Sequence, residues 1–244
     1  MREAQAIARV AHPNIVAIHD VGIIDGQVFI TMEFVDGIRL REWMAGPRGL
    51  RETIEVFGQA ARGLAAAHDA GLVHRDFKPE NVLVGRDGRV RVVDFGLVRW
   101  AEGDDAPVIT EAVILALDQN ITPAGAAVGT PRYMSPEQVR CTGVGPAADQ
   151  FAFGVCLYEA VTGQRPFLGD NMGSLMRAIM EGEVRPFPAG CLAPRWLRDL
   201  ITRTLEVEPG DRWPSMHAIV DELTRDRETD RRSALDGSGS TDPM

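Results

Sequence analysis

HRDFKPENVLVGRDGRVRVVDFG, residues 74–96, is the stretch on which the reading of this chain turns. Its second part, NVLVGRDGRVRVVDFG, sets two β-branched runs around Asp87-Gly88, which predicts a β-hairpin. Its first part, HRDFKPEN, follows a long helical pattern and precedes a strand, so it is a loop presented by rigid elements. Within six residues that loop gathers a carboxylate (Asp76), an ammonium (Lys78) and an amide (Asn81). The hairpin returns the chain beside the loop and ends at Asp94. Lys78 is the only lysine among 26 Lys+Arg residues, so arginine supplies positive charge everywhere else. An ammonium is a compact point charge that can follow a moving phosphate, whereas a guanidinium fork fixes one geometry. A carboxylate to orient a hydroxyl, a cation for the phosphate and oxygen ligands for Mg²⁺ are the parts that phosphoryl transfer from a nucleotide needs.

Working outward, Ile54, Phe57, Ala61, Leu64 and Ala65 recur at helical spacing and predict a helix over about 51–70. A shorter helix is expected over 39–44. IVAIHDVGII and QVFITMEFV read as two strands joined by the turn DGQ. HPN stops a preceding helix expected over 2–11, because the residue before Pro13 is pushed out of the helical region. Residues 97–135 read as loop, with a short helix at EAVILAL. Helical patterns then follow over about 147–162, 171–182, 194–206 and 214–224. The end of the chain is charged, small and nearly devoid of apolar side chains, so disorder is expected there. No internal repeat is present.

The 244 residues are 45% hydrophobic and 25% charged, ordinary values for a soluble globular protein. A net charge of −9 argues against nucleic acid as the main partner. Cys141, Cys156 and Cys191 are odd in number and lack metal-type spacing, as expected of reduced thiols in a cytosolic protein. No apolar run reaches ~18 residues, so no membrane segment is expected and the chain is read as cytoplasmic. A Walker-type loop is excluded, since it needs a Gly-Lys pair.

HRDFKPEN, DFG and GTPRYMSPE resemble the catalytic loop, the metal-binding motif and the end of the activation segment of protein kinases. Lys78 in HRDFKPEN resembles the serine/threonine branch. SPEQ and DQFAFGVCLYEAVTGQRPF are similar to bacterial kinases of the eukaryotic type. The resemblance spans roughly residues 2–224 and implies an α+β, bilobal protein-kinase-like fold with a mainly helical large lobe. It divides the chain into a partial small lobe (1–34), a hinge (35–38), a large lobe (39–224) and a tail (225–244). It implies ATP and Mg²⁺ (or Mn²⁺) as cofactors and the Ser/Thr hydroxyls of proteins as acceptors. Asp76 would orient the hydroxyl, Lys78 would steady the γ-phosphate, and Asn81 and Asp94 would hold the metal. Thr130 would touch Asp76. Glu33 and Val35 would offer backbone groups to adenine, with Met32 behind them and Leu83 as the pocket floor. Arg75 would pair with a phosphorylated Thr110 or Thr122. Glu137 would pair with Arg212, and Asp149 would anchor the catalytic loop.

The family pattern also includes a glycine-rich loop and a lysine on the third strand. Neither is present in these 244 residues: VAIH at 16–19 echoes the lysine motif only superficially, since it follows HPN and so lies on a later strand, and it carries His19 in place of a lysine. The chain is therefore expected to start inside the helix that follows those strands. Glu3 would be the glutamate that normally meets the lysine, and the small lobe would be truncated. Loss of one phosphate-binding cation costs on the order of 10²-fold in rate. A catalytically inactive scaffold or binding module of the same fold is thus the alternative function.

Overall fold

The computed structural model describes residues 10–24, 27–95 and 131–225. Glu3, Thr110, Thr122, Thr130, most of the helix expected over 2–11, EAVILAL and nearly all of the expected tail lie outside the described residues.

Two strands, β1 (Ile18–Ile24) and β2 (Gln27–Met32), pair antiparallel, with Ile18 opposite Met32 and Ile24 opposite Gln27. The first of them begins three residues later than the apolar run in IVAIHDVGII. Those residues are used elsewhere. Ile15 bridges Val92, Val16 donates its N–H to the Val92 carbonyl at 3.0 Å, and the Val92 N–H reaches the Asn14 carbonyl at 2.9 Å. The start of the run thus leans on the hairpin of the large lobe before the chain crosses to its own partner strand.

That hairpin consists of β4 (Val82–Gly85) and β5 (Val90–Val92), with Val82 opposite Val92 and Val84 opposite Val90. Gly88 sits at φ +77°, a left-handed turn position that suits a residue without Cβ. A third strand, β3 (Gly37–Arg39), pairs antiparallel with β4, Gly37 facing Gly85 and Arg39 facing Leu83. It takes in Gly37 and Ile38 of the expected interlobe stretch. All three of its residues are exposed, so no apolar alternation marks it in the sequence.

Helix α1 (Leu40–Met44) follows directly, then α2 (Leu50–Asp69) over the span its periodicity predicts. Its predicted apolar face is buried throughout, Phe57, Ala61 and Leu64 completely. Beyond the short α3 (Pro136–Val139), helix α4 (Pro146–Thr162) is buried almost all round from Ala148 to Glu159. A helix that is apolar on every side belongs inside a core. It packs against α2, where the Phe57 and Phe153 rings meet edge-on at 5.6 Å, and against α6 (Arg195–Thr204). Helix α5 (Met172–Glu181) starts with a capping box between Asn171 and Ser174, and α7 covers 216–225. These helices fall within a few residues of the predicted spans.

The HPN segment is fastened to the large lobe. The Asn14 side chain is buried and its Nδ2 donates to the Val90 carbonyl (2.8 Å) and to Gln59 Oε1 (3.1 Å). Its carbonyl lies against Gly63 of α2, where an added Cβ would stand 2.4 Å from that oxygen. Gly63→Ala should therefore push α2 and residues 12–16 apart, with a loss of about 1–3 kcal/mol of stability by overpacking, measured by urea denaturation.

Candidate active site

The loop after α2 is held by one carboxylate. Asp149, in the first turn of α4, has a side chain only 1% exposed. It accepts the backbone N–H of His74 and of Arg75, both at 2.8 Å, and lies 2.7 Å from His68 Nε2. Buried carboxylates are stable where several donors replace water, and here three converge. Arg75 takes φ +64°, a left-handed conformation that few non-glycine residues adopt and that surrounding contacts must enforce. The Asp149 bond to its N–H and a bond from Gln138 Nε2 to its carbonyl, 2.7 Å, supply that enforcement.

His74 joins the loop to the residues between β5 and Asp94. Its Nε2 meets the Val93 carbonyl at 2.9 Å, and since a carbonyl only accepts, Nε2 carries the proton. Its Nδ1 then accepts the Asp76 N–H at 3.3 Å. The ring rests on Phe95 (4.6 Å) and meets Phe77 edge-on (5.8 Å), and Phe77 itself is sunk in the core.

Asp76, Lys78 and Asn81 come together. Lys78 Nζ lies 2.6 Å from Asp76 Oδ2, and Asn81 Nδ2 donates to the Asp76 carbonyl (2.8 Å) and to Oδ2 (3.1 Å). The Val93 N–H donates to the Asn81 carbonyl at 3.0 Å, which places Asp94, the next residue, alongside Asn81. Asp94 is half-buried and also left-handed, at φ +60°. Asp76 retains more exposure than Lys78, with side chains 34% and 16% exposed.

With Nδ2 of Asn81 committed to Asp76, its Oδ1 and the Asp94 carboxylate are the oxygens left for a divalent cation. Among the described residues no cluster of three His, Cys, Asp or Glu could cage a metal. A two-oxygen set fits Mg²⁺, which is commonly bound through one or two protein ligands with phosphates and water completing the shell.

Glu33, just past β2, donates its N–H to the Ala17 carbonyl at 2.9 Å, and its carboxylate meets Arg91 at 2.6 Å. Val35 is half-buried, and the pairing of β3 with β4 sets Gly85 opposite Gly37, two residues past Val35, with Leu83 opposite Arg39 at the far end of β3. The two expected anchors in the large lobe are both present. Arg212, fully buried, forms a two-pronged pair with Glu137 (2.7 and 2.8 Å) and donates to the carbonyls of Ala147, Glu206 and Val207.

A further cluster escapes sequence reasoning. Arg41 of α1 binds Glu80 at 2.8 Å, Glu159 of α4 at 3.3 Å and the Tyr133 hydroxyl, which in turn donates to Glu159 at 2.8 Å. The catalytic loop, the end of the segment before α3 and two helices are thereby joined at one guanidinium. Burial works against the charge of Arg41, but Glu80 and Tyr133 outweigh it and raise its pKa. Burial pushes the Tyr133 phenol well above its usual range, with Cys156 and Glu159 adding to the shift. In a chain so rich in arginine nothing in the sequence singles out Arg41.

With this geometry in place, the protein kinase domain family matches residues 1–223. The chain belongs to the protein kinase family. It is 37% identical over 232 residues to the serine/threonine-protein kinase PknL of Mycobacterium tuberculosis, covering 91% of this chain and 54% of that protein. It is 36% identical over 232 residues to the serine/threonine-protein kinase Pkn1 of Myxococcus xanthus, covering 91% and 31%. It is 32% identical over 234 residues to the probable serine/threonine-protein kinase PknB of Lactococcus lactis, covering 95% and 35%. The chain thus spans about half, or less, of the length of these relatives. Among the described residues of this kinase-family chain, no helix is long and apolar enough to cross a membrane.

Glu137→Ala would leave the Arg212 guanidinium buried without its partner. A loss of about 3–5 kcal/mol is expected by urea denaturation, because the charge stays while its compensation goes.

Proposed function

We propose that this chain is a serine/threonine protein kinase domain that transfers the γ-phosphate of ATP to serine and threonine hydroxyls of proteins. The observation that carries the reading is the contact of Asp76, Lys78 and Asn81 with one another, beside Asp94. In the transfer the acceptor oxygen forms a bond to the γ-phosphorus while the bond from that phosphorus to the β,γ-bridging oxygen breaks, leaving ADP. Asp76 orients the acceptor hydroxyl and takes its proton. Lys78, already within reach of Asp76, steadies the γ-phosphate as the charge moves. Asn81 Oδ1 and the Asp94 carboxylate hold Mg²⁺, which when bound neutralises the phosphate charge.

The adenine base lies between the backbone of Glu33 and Val35 and the side chain of Leu83, with Met32 behind. Among the described residues neither backbone group of Val35 has a backbone hydrogen-bond partner, so both remain for a base. On this reading Thr130 would touch Asp76 and favour Ser/Thr acceptors. Phosphate on Thr110 or Thr122 would pair with Arg75, and Glu3 would be the glutamate that meets the third-strand lysine of the family pattern. Residues 1–34 serve as the small lobe, 35–38 as the hinge, 39–224 as the large lobe and 225–244 as a tail, and the protein works in the cytoplasm. A second reading rests on the single lysine: with Lys78 engaged at Asp76, no other ammonium exists in these residues for the α- and β-phosphates. On that reading the fold serves as a docking scaffold.

Incubation with Mg²⁺ and γ-labelled ATP decides between them. The wild type should label itself on threonine, and Asp76→Asn should reduce labelling by about 10²–10⁴-fold with the helical spectrum unchanged. Undiminished labelling in Asp76→Asn would remove that residue from its role. No labelling and no nucleotide-dependent thermal shift in the wild type would establish the scaffold.

A further inference from the structure

Arg91 lies on β5, three residues before Asp94, and is 5% exposed. A buried guanidinium on a strand calls for acceptors, and it has two. At the hairpin turn Asp87 meets it at 2.9 and 3.3 Å. In the other direction Nε reaches Glu33 Oε1 at 2.6 Å. The first contact is local to the hairpin, and Asp87 is also held there by Arg89, through its Nε at 2.7 Å and its N–H at 3.0 Å. The second joins the large-lobe hairpin to the start of the interlobe stretch.

That link closes a ring. Glu33 bonds to Ala17 through its N–H, Val16 bonds to Val92, and Val92 adjoins Arg91, whose side chain returns to Glu33. Glu33, which begins the backbone proposed to face adenine, is thereby fixed twice to β5, the strand that ends two residues before Asp94. Arg91 also stands opposite Leu83 in the β4–β5 register, so the same residue pairs with the strand forming the expected pocket floor. The fork shape of arginine suits this task, since one planar group reaches two carboxylates in different directions.

We propose that Arg91 is a positioning residue for the nucleotide base: through Glu33 it sets the spacing between the backbone of residues 33–35 and Leu83. The inference rests on the nucleotide site proposed above. Arg91 touches no substrate. It acts through Glu33, and small displacements of binding groups are expensive, about 10²-fold for an ångström.

The test uses the full chain with Mg²⁺ and N-methylanthraniloyl-ADP as a fluorescent probe. Arg91→Met should weaken binding about tenfold, Glu33→Gln several-fold, and the double variant no more than Arg91→Met alone. Arg91→Lys should recover part of the affinity by keeping the charge at Glu33. Asp87→Asn should leave affinity within about twofold, because it alters only the turn end of the network. Displacement of the probe by adenosine should weaken in parallel with ADP, since the effect lies at the base and not at the phosphates. In the nucleotide-free protein, amide hydrogen exchange at Glu33, whose N–H is held by the Ala17 carbonyl, should quicken about tenfold in Arg91→Met and not in Asp87→Asn. Wild-type binding with unchanged affinity in Arg91→Met and Glu33→Gln overturns the inference and leaves the kinase reading standing. No probe binding by the wild type overturns the nucleotide site, and unchanged exchange at the Glu33 amide in Arg91→Met then overturns the positioning of Glu33 by Arg91.

Discussion

The carboxylate of Asp149 has no contact with the expected substrate side, yet the site depends on it. It gathers the N–H groups of His74 and Arg75 and the imidazole of His68, so three donors from the end of α2 and the following loop meet at the head of α4. α4 is the most deeply buried helix of the large lobe, and the anchor inherits its rigidity. From that point the loop is positioned in sequence: His74 reaches Val93, Phe77 enters the core, and Asp76 is left facing outward with Lys78 and Asn81 around it. A preorganised site needs its supporting groups to be less mobile than its reacting ones. Here Asp149, His74 and Phe77 are buried, while Asp76 and Lys78 are part-exposed.

What could be read from the residues alone follows the strength of local signals. α2 and the β4–β5 hairpin were legible because each writes its period plainly, with apolar positions at helical spacing in one and β-branched runs about Asp87-Gly88 in the other. The gathering of Asp76, Lys78 and Asn81 beside Asp94 was legible because one short loop holds the first three and the hairpin after it returns the chain to them. Strand β3 was not legible, since three exposed residues hold no alternation and the pairing is supplied wholly by β4. Nor was the diversion of Ile15 and Val16 onto β5: an apolar run shows that residues are buried without showing against which strand.

The arginine contacts mark a different limit. Arg212 could be expected because a family pattern pairs it with Glu137, whereas Arg41 and Arg91 could not, each being one among many. All three nonetheless do similar physical work, since each joins elements far apart in the chain through two or more acceptors. Using arginine for these structural ties leaves the one lysine where a point charge that can move with its ligand is wanted.

Arg75 and Asp94 both hold left-handed backbone, on either side of the cluster, and this separates fold from chemistry in unequal ways. Asparagine tolerates that conformation about as well as aspartate does, so a lineage that no longer used the metal could exchange Asp94 for Asn with little disturbance to the chain path. No such inexpensive drift exists at Asp149, whose removal would leave buried amides unsatisfied whatever the protein was used for. Retention of an acid at residue 94 among descendants would therefore record selection for the proposed metal site, while retention at residue 149 would record only that the protein still folds.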